Sequence, residues 1–356
     1  MLGETIAKLD PDGSATLTLT RTEGSAADIW RAAGRAQNVV CNFPIVAWKR
    51  VILRPLLALA LARFRGRRVV LFQHEWAGLH WLRRITYLPA LLLADIIVMF
   101  SPLVRRELAA DRWFGWTARK VVLAPLPPNV KAPATIADSN LRQRLANARR
   151  EGRPVIGHFG SIYPRKQPNA LLDICAALRE RRLNPLLVYV GSFIRATDNV
   201  EDDFYARAAG LGLTDDVIVS GYVKSDAEVF GIFSEIDAFC YLLEEGITAR
   251  RGSILVCAQS GRPIVATGPA EADEFDYHPR FKALIDHGAI TLVARGASDQ
   301  AYADSIVSAL QKPRAQAAFD FDAWWQDVAQ AVPALRVTPS PETAPDNAVR
   351  IPRLEM

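Results

Sequence analysis

The chain has 356 residues, 50% of them hydrophobic and 23% charged, with four cysteines and a net charge of +5. That is enough chain for two domains with a sizeable core each, and the composition excludes intrinsic disorder, a collagen repeat and a disulfide-stapled miniprotein. The charge is uneven: residues 1–150 carry 23 Lys and Arg against 10 Asp and Glu, the remainder 20 against 28, which points to an anionic partner for the N-terminal half.

Residues 1–30 hold no apolar segment behind a basic start, which argues against a signal peptide. Residues 10–20 (DPDGSATLTLT) are expected as a hairpin segment. Residues 1–35 lack the Gly-rich strand-to-helix turn that opens most doubly wound domains, so an abbreviated N-terminal domain is expected. Residues 48–68 interleave Lys49, Arg50, Arg54, Arg63, Arg65, Arg67 and Arg68 with a dense aliphatic face. Residues 76–84 set Trp76, Leu79, Trp81 and Leu82 beside Arg83 and Arg84. Bulky apolar residues next to arginine suit a helix lying in an anionic membrane surface. A nucleic-acid face would show polar base readers and a known motif, and none is found, so nucleic acid is not an expected partner. The longest apolar run, residues 87–100, has 14 residues and includes Asp95; a spanning helix needs about 20.

Short apolar runs follow, at residues 69–72, 96–100 and 121–125, with helical patterns between them. A proline-rich stretch, residues 125–140, ends this series. A second series has runs at 154–160, 186–191, 217–223, 238–243, 263–267 and 290–294. Continuous apolar strands separated by helical segments indicate parallel sheets covered on both faces, and two series indicate two doubly wound α/β domains. The expected division is 1–135, 136–318, a closing helix within 319–334 and a mobile tail at 335–356. Cys41, Cys175, Cys240 and Cys257 lie far apart, which favours reduced, buried thiols in a cytoplasmic protein over a zinc site.

Three constellations carry chemistry. In residues 158–178 a strand ends at Gly160, a polar loop bears Arg165 and Lys166, and a helix begins near Pro168; helix-start amides beside two cations suit a phosphate. In residues 244–267 a loop carries Glu244, Glu245, Gly246, Arg250 and Arg251 before Gly252-Ser253 opens a helix that stops at Gly261. Two such cradles at one sheet edge suit a nucleoside diphosphate. The third is His74-Glu75, directly after the strand at 69–72, where the imidazole could meet a substrate hydroxyl with Glu75 orienting it.

Together these residues resemble glycosyltransferase family 4, the retaining enzymes of GT-B fold. GSIYPRKQ is similar to that family's G-R-L-x-x-x-K-G loop, YVGS (189–192) to its V-G-x-G turn, VIVSGYV to its base-contacting loop, and EG…SGRPIVAT to its donor motif. The resemblance covers residues 154–267 well and reaches the QHE segment weakly. It implies two Rossmann-like domains facing a cleft, the first binding the acceptor and the second the nucleotide sugar. It implies that Lys166 holds the diphosphate, with Gly160, Ser161, Arg165 and Gly191 around it. Gly221, Tyr222 and Val223 would line the base, Glu245 and Gly246 the sugar, and His74 the reacting centre. Ser161 stands where the family has arginine, and the second Glu of its E-x7-E motif falls on Val256; an ARRGS-type loop, with Arg250 or Arg251, takes over the diphosphate, and Gly252 and Ser253 supply amides. The implied activity is retaining transfer of a sugar from a nucleotide-diphosphate donor, a substrate rather than a cofactor, with no metal. The basic N-terminal half then suggests a glycan or lipid-linked acceptor at the inner face of the cytoplasmic membrane. Two rivals stay open: a catalytically idle GT-B protein that binds a nucleotide or a partner, and a sugar epimerase using Glu244 and Glu245.

Overall fold

The apolar runs beginning at residue 69 all form strands in the computed structural model, which describes residues 37–43, 52–194, 199–312 and 319–332. The N-terminal series is a parallel sheet ordered β1-β2-β3-β4, made of β1 (Asn38–Phe43), β2 (Arg68–Gln73), β3 (Ile96–Met99) and β4 (Val121–Leu123). β1 was not expected. Its sequence, NVVCNF, has polar residues at both asparagines, and a strand at a sheet's edge needs less apolar surface than a central one. The hairpin expected at residues 10–20 lies outside the described residues.

Helices α1 (Leu53–Phe64), α2 (Trp81–Leu93) and α3 (Pro102–Ala109) carry the chain between these strands. Leu59, Ala62, Ala90, Leu91 and Leu108 cover the sheet face built by Val69, Leu71, Ile97 and Met99. Alternate strand residues Val70, Phe72 and Val98 face the other way, against Phe100, Ala124 and Val332. The run at 87–100 is two elements: α2 ends at Leu93, and Asp95 accepts the Val69 amide at 2.8 Å and pairs with Arg63 at 2.8 Å before β3 begins. Among the described residues no helix is long and apolar enough to cross a membrane.

One interfacial expectation needs correction. Trp76 is 1% exposed, and its indole donates to Asp111 at 3.1 Å. Arg84 lies 5.7 Å over that ring and pairs with the same Asp111 at 3.1 Å. Leu79 is buried as well, and His80 caps α2 by accepting the Leu82 amide. The bulky apolar residues of this stretch are therefore core anchors up to Leu79, and of these side chains Trp81 and Leu82 reach the surface.

The second series begins with α4 (Asn140–Arg150) and forms a six-stranded parallel sheet ordered β10-β9-β8-β5-β6-β7. Its strands are β5 (Val155–Phe159), β6 (Leu186–Val190), β7 (Val217–Val219), β8 (Ala238–Tyr241), β9 (Ile264–Thr267) and β10 (Ile290–Val293). Between them run α5 (Pro168–Glu180), α6 (Val200–Gly210), α7 (Asp226–Ser234), α8 (Gly252–Ala258) and α9 (Pro279–Asp286), and α10 (Asp299–Leu310) follows β10. The chain lays β6 and β7 to one side of β5, then returns to pair β8 on the other, with Ile156 opposite Ala238. At this switch point the loops after β5 and β8 leave the sheet side by side.

The closing helix α11 (Phe321–Ala331) spans both halves. Trp324 packs in the core of the second sheet, while Val332 just beyond the helix packs on the first. The Trp325 indole donates to the Pro128 carbonyl at 3.2 Å, and Lys131 pairs with Asp322 at 3.1 Å. All four cysteines are free thiols; Cys175, Cys240 and Cys257 are buried, and Cys41 on β1 is only half-buried.

Candidate active site

The loop after β5 turns at Gly160, makes one 3-10 turn (Pro164–Lys166) and enters α5 through Gln167, a non-glycine residue in the left-handed region (φ 46°). This tight path folds Lys166 inward. A Cβ on Gly160 would stand 3.0 Å from the Lys166 Nζ and 3.6 Å from the Ser253 Cβ, so the bare Gly160 Cα is where the β5 and β8 loops meet. The Glu244 amide donates to the Arg165 carbonyl at 3.1 Å, which ties the two loops together through the backbone.

Arginines from the two loops meet on one carboxylate. Arg165, Arg250 and Arg251 all reach the Glu245 carboxylate, at 2.8, 3.4 and 3.7 Å. Tyr163, a residue that sequence reasoning passed over, bridges the centre: its hydroxyl accepts from Arg251 Nη1 at 3.2 Å and its ring lies 5.4 Å from the Lys166 Nζ. An aromatic residue two positions before a basic pair in a strand-to-helix loop was the available signal.

Lys166 is the electrostatic oddity. It is 8% exposed, and no carboxylate among the described residues pairs with it. Burial, reinforced by the Arg251 charge, pulls its ammonium down to about 8 from an ordinary lysine value of 10.5. The Nε atoms of Arg250 and Arg251 are buried without a partner among the described residues. A buried ammonium and orphaned donors on neighbouring loops would be satisfied by an anion. Beneath them His158 on β5 is 1% exposed, with Nδ1 3.1 Å from the Cys240 carbonyl and its ring tilted against Tyr189 and Tyr241. Burial, with Lys166 adding to it, lowers His158 to about 3, so it stays neutral and adds no charge below the lysine.

Some of the expected amides are already engaged within their own loops. The Lys166 and Gln167 amides are used within the 3-10 turn, bonding the Tyr163 and Pro164 carbonyls, and Pro168 has no N–H. The Gly252 amide bonds the Arg250 carbonyl at 3.1 Å. The formal charges in this cradle are those of Arg165, Lys166, Arg250 and Arg251 against Glu245. Arg165 and Glu245, read separately for phosphate and sugar, are bound to each other.

The remaining positions frame the cradle. A Cβ on Gly191 would strike the Gly160 carbonyl oxygen at 2.2 Å, so the loops after β5 and β6 approach at backbone distance. The Gly191 amide donates to Ser220 Oγ at 3.0 Å, and that hydroxyl donates to the Gly221 carbonyl, which links the β6 and β7 loops. Tyr222 is 79% exposed, while Val223 packs on the core. Gly246 (φ 76°) comes as close to the Gly268 carbonyl as Gly191 does to Gly160, so the donor loop is pinned onto the loop after β9. Ser161 is exposed, and Val256 is 1% exposed inside the core.

The first sheet contributes His74. Its ring stacks on Phe100 with centroids 5.1 Å apart, and its carbonyl accepts from Arg250 Nη1 at 3.4 Å, directly across the crevice. Burial, with Arg250 adding to it and Glu75 opposing, lowers its pKa below the ordinary histidine value, so the imidazole is neutral at pH 7.

Residues 153–312 match the family model described as glycosyl transferases group 1. The chain carries a glycosyltransferase domain. No curated protein matches the chain. Among solved structures, Alr3699/HepE of Anabaena in complex with UDP and glucose superposes with a TM-score of 0.60 at 17% identity, over 91% of this chain and 87% of that one. The sucrose-phosphate synthase of Thermosynechococcus elongatus gives 0.55 at 15% identity, over 92% and 90%. A glycosyltransferase from Rickettsia africae gives 0.52 at 13% identity, over 91% and 83%. At such identities the likeness is one of fold, and the fold is GT-B: two Rossmann-like sheets, with the glycosyltransferase domain built on the second.

Proposed function

We propose that this enzyme is a retaining hexosyltransferase of glycosyltransferase family 4 with an ARRGS-type donor loop. It takes a nucleotide-diphosphate sugar as donor and a hydroxyl of a lipid-linked or polysaccharide precursor as acceptor. Lys166 carries the reading: a buried ammonium without an acidic partner among the described residues, beside Arg251 on Tyr163, at the switch point of the glycosyltransferase domain. The chemical difficulty of sugar transfer is the leaving diphosphate, which gains charge as the glycosidic bond breaks. Lys166 and Arg251 are preorganised at the site where that charge develops, in surroundings that exclude much of the water. Glu245, held between three arginines, stands where a sugar hydroxyl would compete for it, and His74 faces the same crevice from the acceptor side.

The donor loop therefore sits between a nucleotide half, with a boundary near residues 125–139, and an N-terminal half that receives the acceptor. Support for a membrane surface comes from α1 and α2, which cover one sheet face and leave Leu53, Phe64, Trp81, Leu82 and Ile85 outside; Phe64 is 84% exposed and Trp81 60%. Arg63, Arg65, Arg68 and Arg83 lie on or just beyond the same helices. Apolar side chains that enter the headgroup zone and cations that meet anionic lipid are the two requirements of interfacial docking.

UDP is the first nucleotide to test, since the similar HepE structure holds UDP and glucose. A thermal-shift series with UDP, GDP and ADP should raise the midpoint for one base, because ligand at a hundred times its Kd adds about 2.7 kcal/mol of apparent stability. Anomeric coupling constants of the transfer product then read retention directly. A series in which no nucleoside diphosphate moves the midpoint discards the donor site. The rival reading, a nucleotide-binding protein without turnover, draws on Val256 at the ribose position; nucleotide release from UDP-glucose without acceptor separates the two.

A further inference from the structure

Glu274 lies outside the cradle, yet it is 2% exposed and touches both halves of the enzyme. Its Oε1 accepts the Ala249 amide at 3.0 Å, in the donor loop immediately before Arg250 and Arg251. Its Oε2 accepts the Ser101 hydroxyl at 3.2 Å, from the first sheet. Ser101 is the N-cap residue of α3, and its side chain does not cap its own helix but donates to the Glu274 carboxylate, whose charged form the Leu103 amide in the first turn also favours. A carboxylate at a helix N-terminus is favoured by the orphan amides and the helix dipole. Here the carboxylate beside the helix start comes from the other domain.

What hangs on each end of this tie is the crevice itself. On one side Ser101 follows Phe100, the ring on which His74 stacks, and the Phe100 carbonyl accepts from the Tyr277 hydroxyl. On the other, Ala249 leads into Arg250, whose guanidinium spans the His74 carbonyl and Glu245. Neighbouring pairs hold the same strip: Arg106 on α3 meets Asp273 at 2.8 Å and Glu271 at 3.8 Å. Those two contacts are exposed and weak, whereas a buried carboxylate that loses a partner leaves an unsatisfied group. Burial raises the Glu274 pKa above the ordinary carboxylate value, against the pull of the Ala249 amide, the Ser101 hydroxyl and Arg250. The charged form is therefore less favoured here than in water.

We propose that Glu274 is a positioning residue for sugar transfer, a single carboxylate that sets the spacing of His74 against the Arg250–Arg251 pair by joining the start of α3 to the donor-loop backbone. The inference rests on the donor-site reading above. It separates binding from turnover, because Lys166, Tyr163 and Arg251 all belong to the glycosyltransferase domain and hold a diphosphate without help from the first sheet. Glu274→Gln keeps size and shape but turns an amide N–H toward one of the donors. Ser101→Ala cuts the tie at its N-terminal-domain end alone and leaves the Ala249 bond in place.

UDP affinity by calorimetry and the kcat of nucleotide release from UDP-glucose, measured on both full-length variants, test this. The expected result is UDP Kd within about threefold of the parent for both, with kcat lower by up to about 10²-fold for Glu274→Gln and by less for Ser101→Ala. Unchanged kcat in both variants overturns the proposal. So does a loss of UDP affinity equal to the loss of kcat and accompanied by a lower melting midpoint, which would mark a merely structural role. A parent protein that neither binds UDP nor releases it from UDP-glucose would instead overturn the donor-site reading.

Discussion

The Lys166 ammonium lies beside a bare glycine, with a guanidinium nearby and no acidic partner among the described residues. Lys166 should behave accordingly. Lys166→Ala should lower kcat by 10²–10³, about 2.7–4 kcal/mol of transition-state stabilisation, while the melting midpoint stays level or rises because a poorly solvated charge is removed. Steady-state kinetics beside a thermal melt checks both halves. The same residue sets a pH dependence. Its folded pKa is depressed to about 8, so the ammonium is fully charged below that value and is lost as pH rises through it. UDP affinity should therefore weaken between about pH 7 and about pH 9, by at most about tenfold per unit, and bound diphosphate should draw the pKa back upward. Calorimetry on Lys166→Met should show no such slope; an equal slope in that variant assigns the titration elsewhere.

At the scale of elements, the helices of the first sheet divide their labour. The inner stripes of α1 and α2 bury Leu59, Ala62, Ala90 and Leu91, and the outer stripes leave Leu53, Phe64, Trp81 and Ile85 in solvent. An amphipathic helix gains nothing from apolar residues on its outer face unless something covers them. Vesicles containing about one-third anionic lipid should sediment the protein at low salt, and raising salt beyond the screening range should release part of it. Phe64→Ser with Trp81→Ser should weaken vesicle binding while UDP affinity is kept, because both side chains lie far from the cradle in the chain and on the opposite sheet. Binding indifferent to lipid charge and to both substitutions would leave these helices without a membrane role. The strands of both sheets were legible from short β-branched runs, and the one that escaped, β1, escaped because asparagines and a half-buried cysteine dilute its pattern.

Over the whole molecule, the two sheets meet through a few named contacts: Arg250 with His74, Glu274 with Ser101, Arg106 with Asp273, and α11 lying across both. Sequence alone settled the α/β class, the break between the two series and the kinds of side chain at the cleft, since periodicity, proline clusters and residue chemistry are local properties. It placed Lys166 and the Arg250–Arg251 pair in separate loops but could not say that those loops touch. Strand adjacency is set by crossover connections, which no local pattern encodes, and only the return of the chain to lay β8 beside β5 brought the loops together. The same tertiary step decided that Trp76 is core, that Arg165 spends its charge on Glu245, and that Tyr163 and Glu274 matter at all. Each depends on a partner 25 or more residues away, and burial, not residue type, determines which of many similar charges becomes the active one.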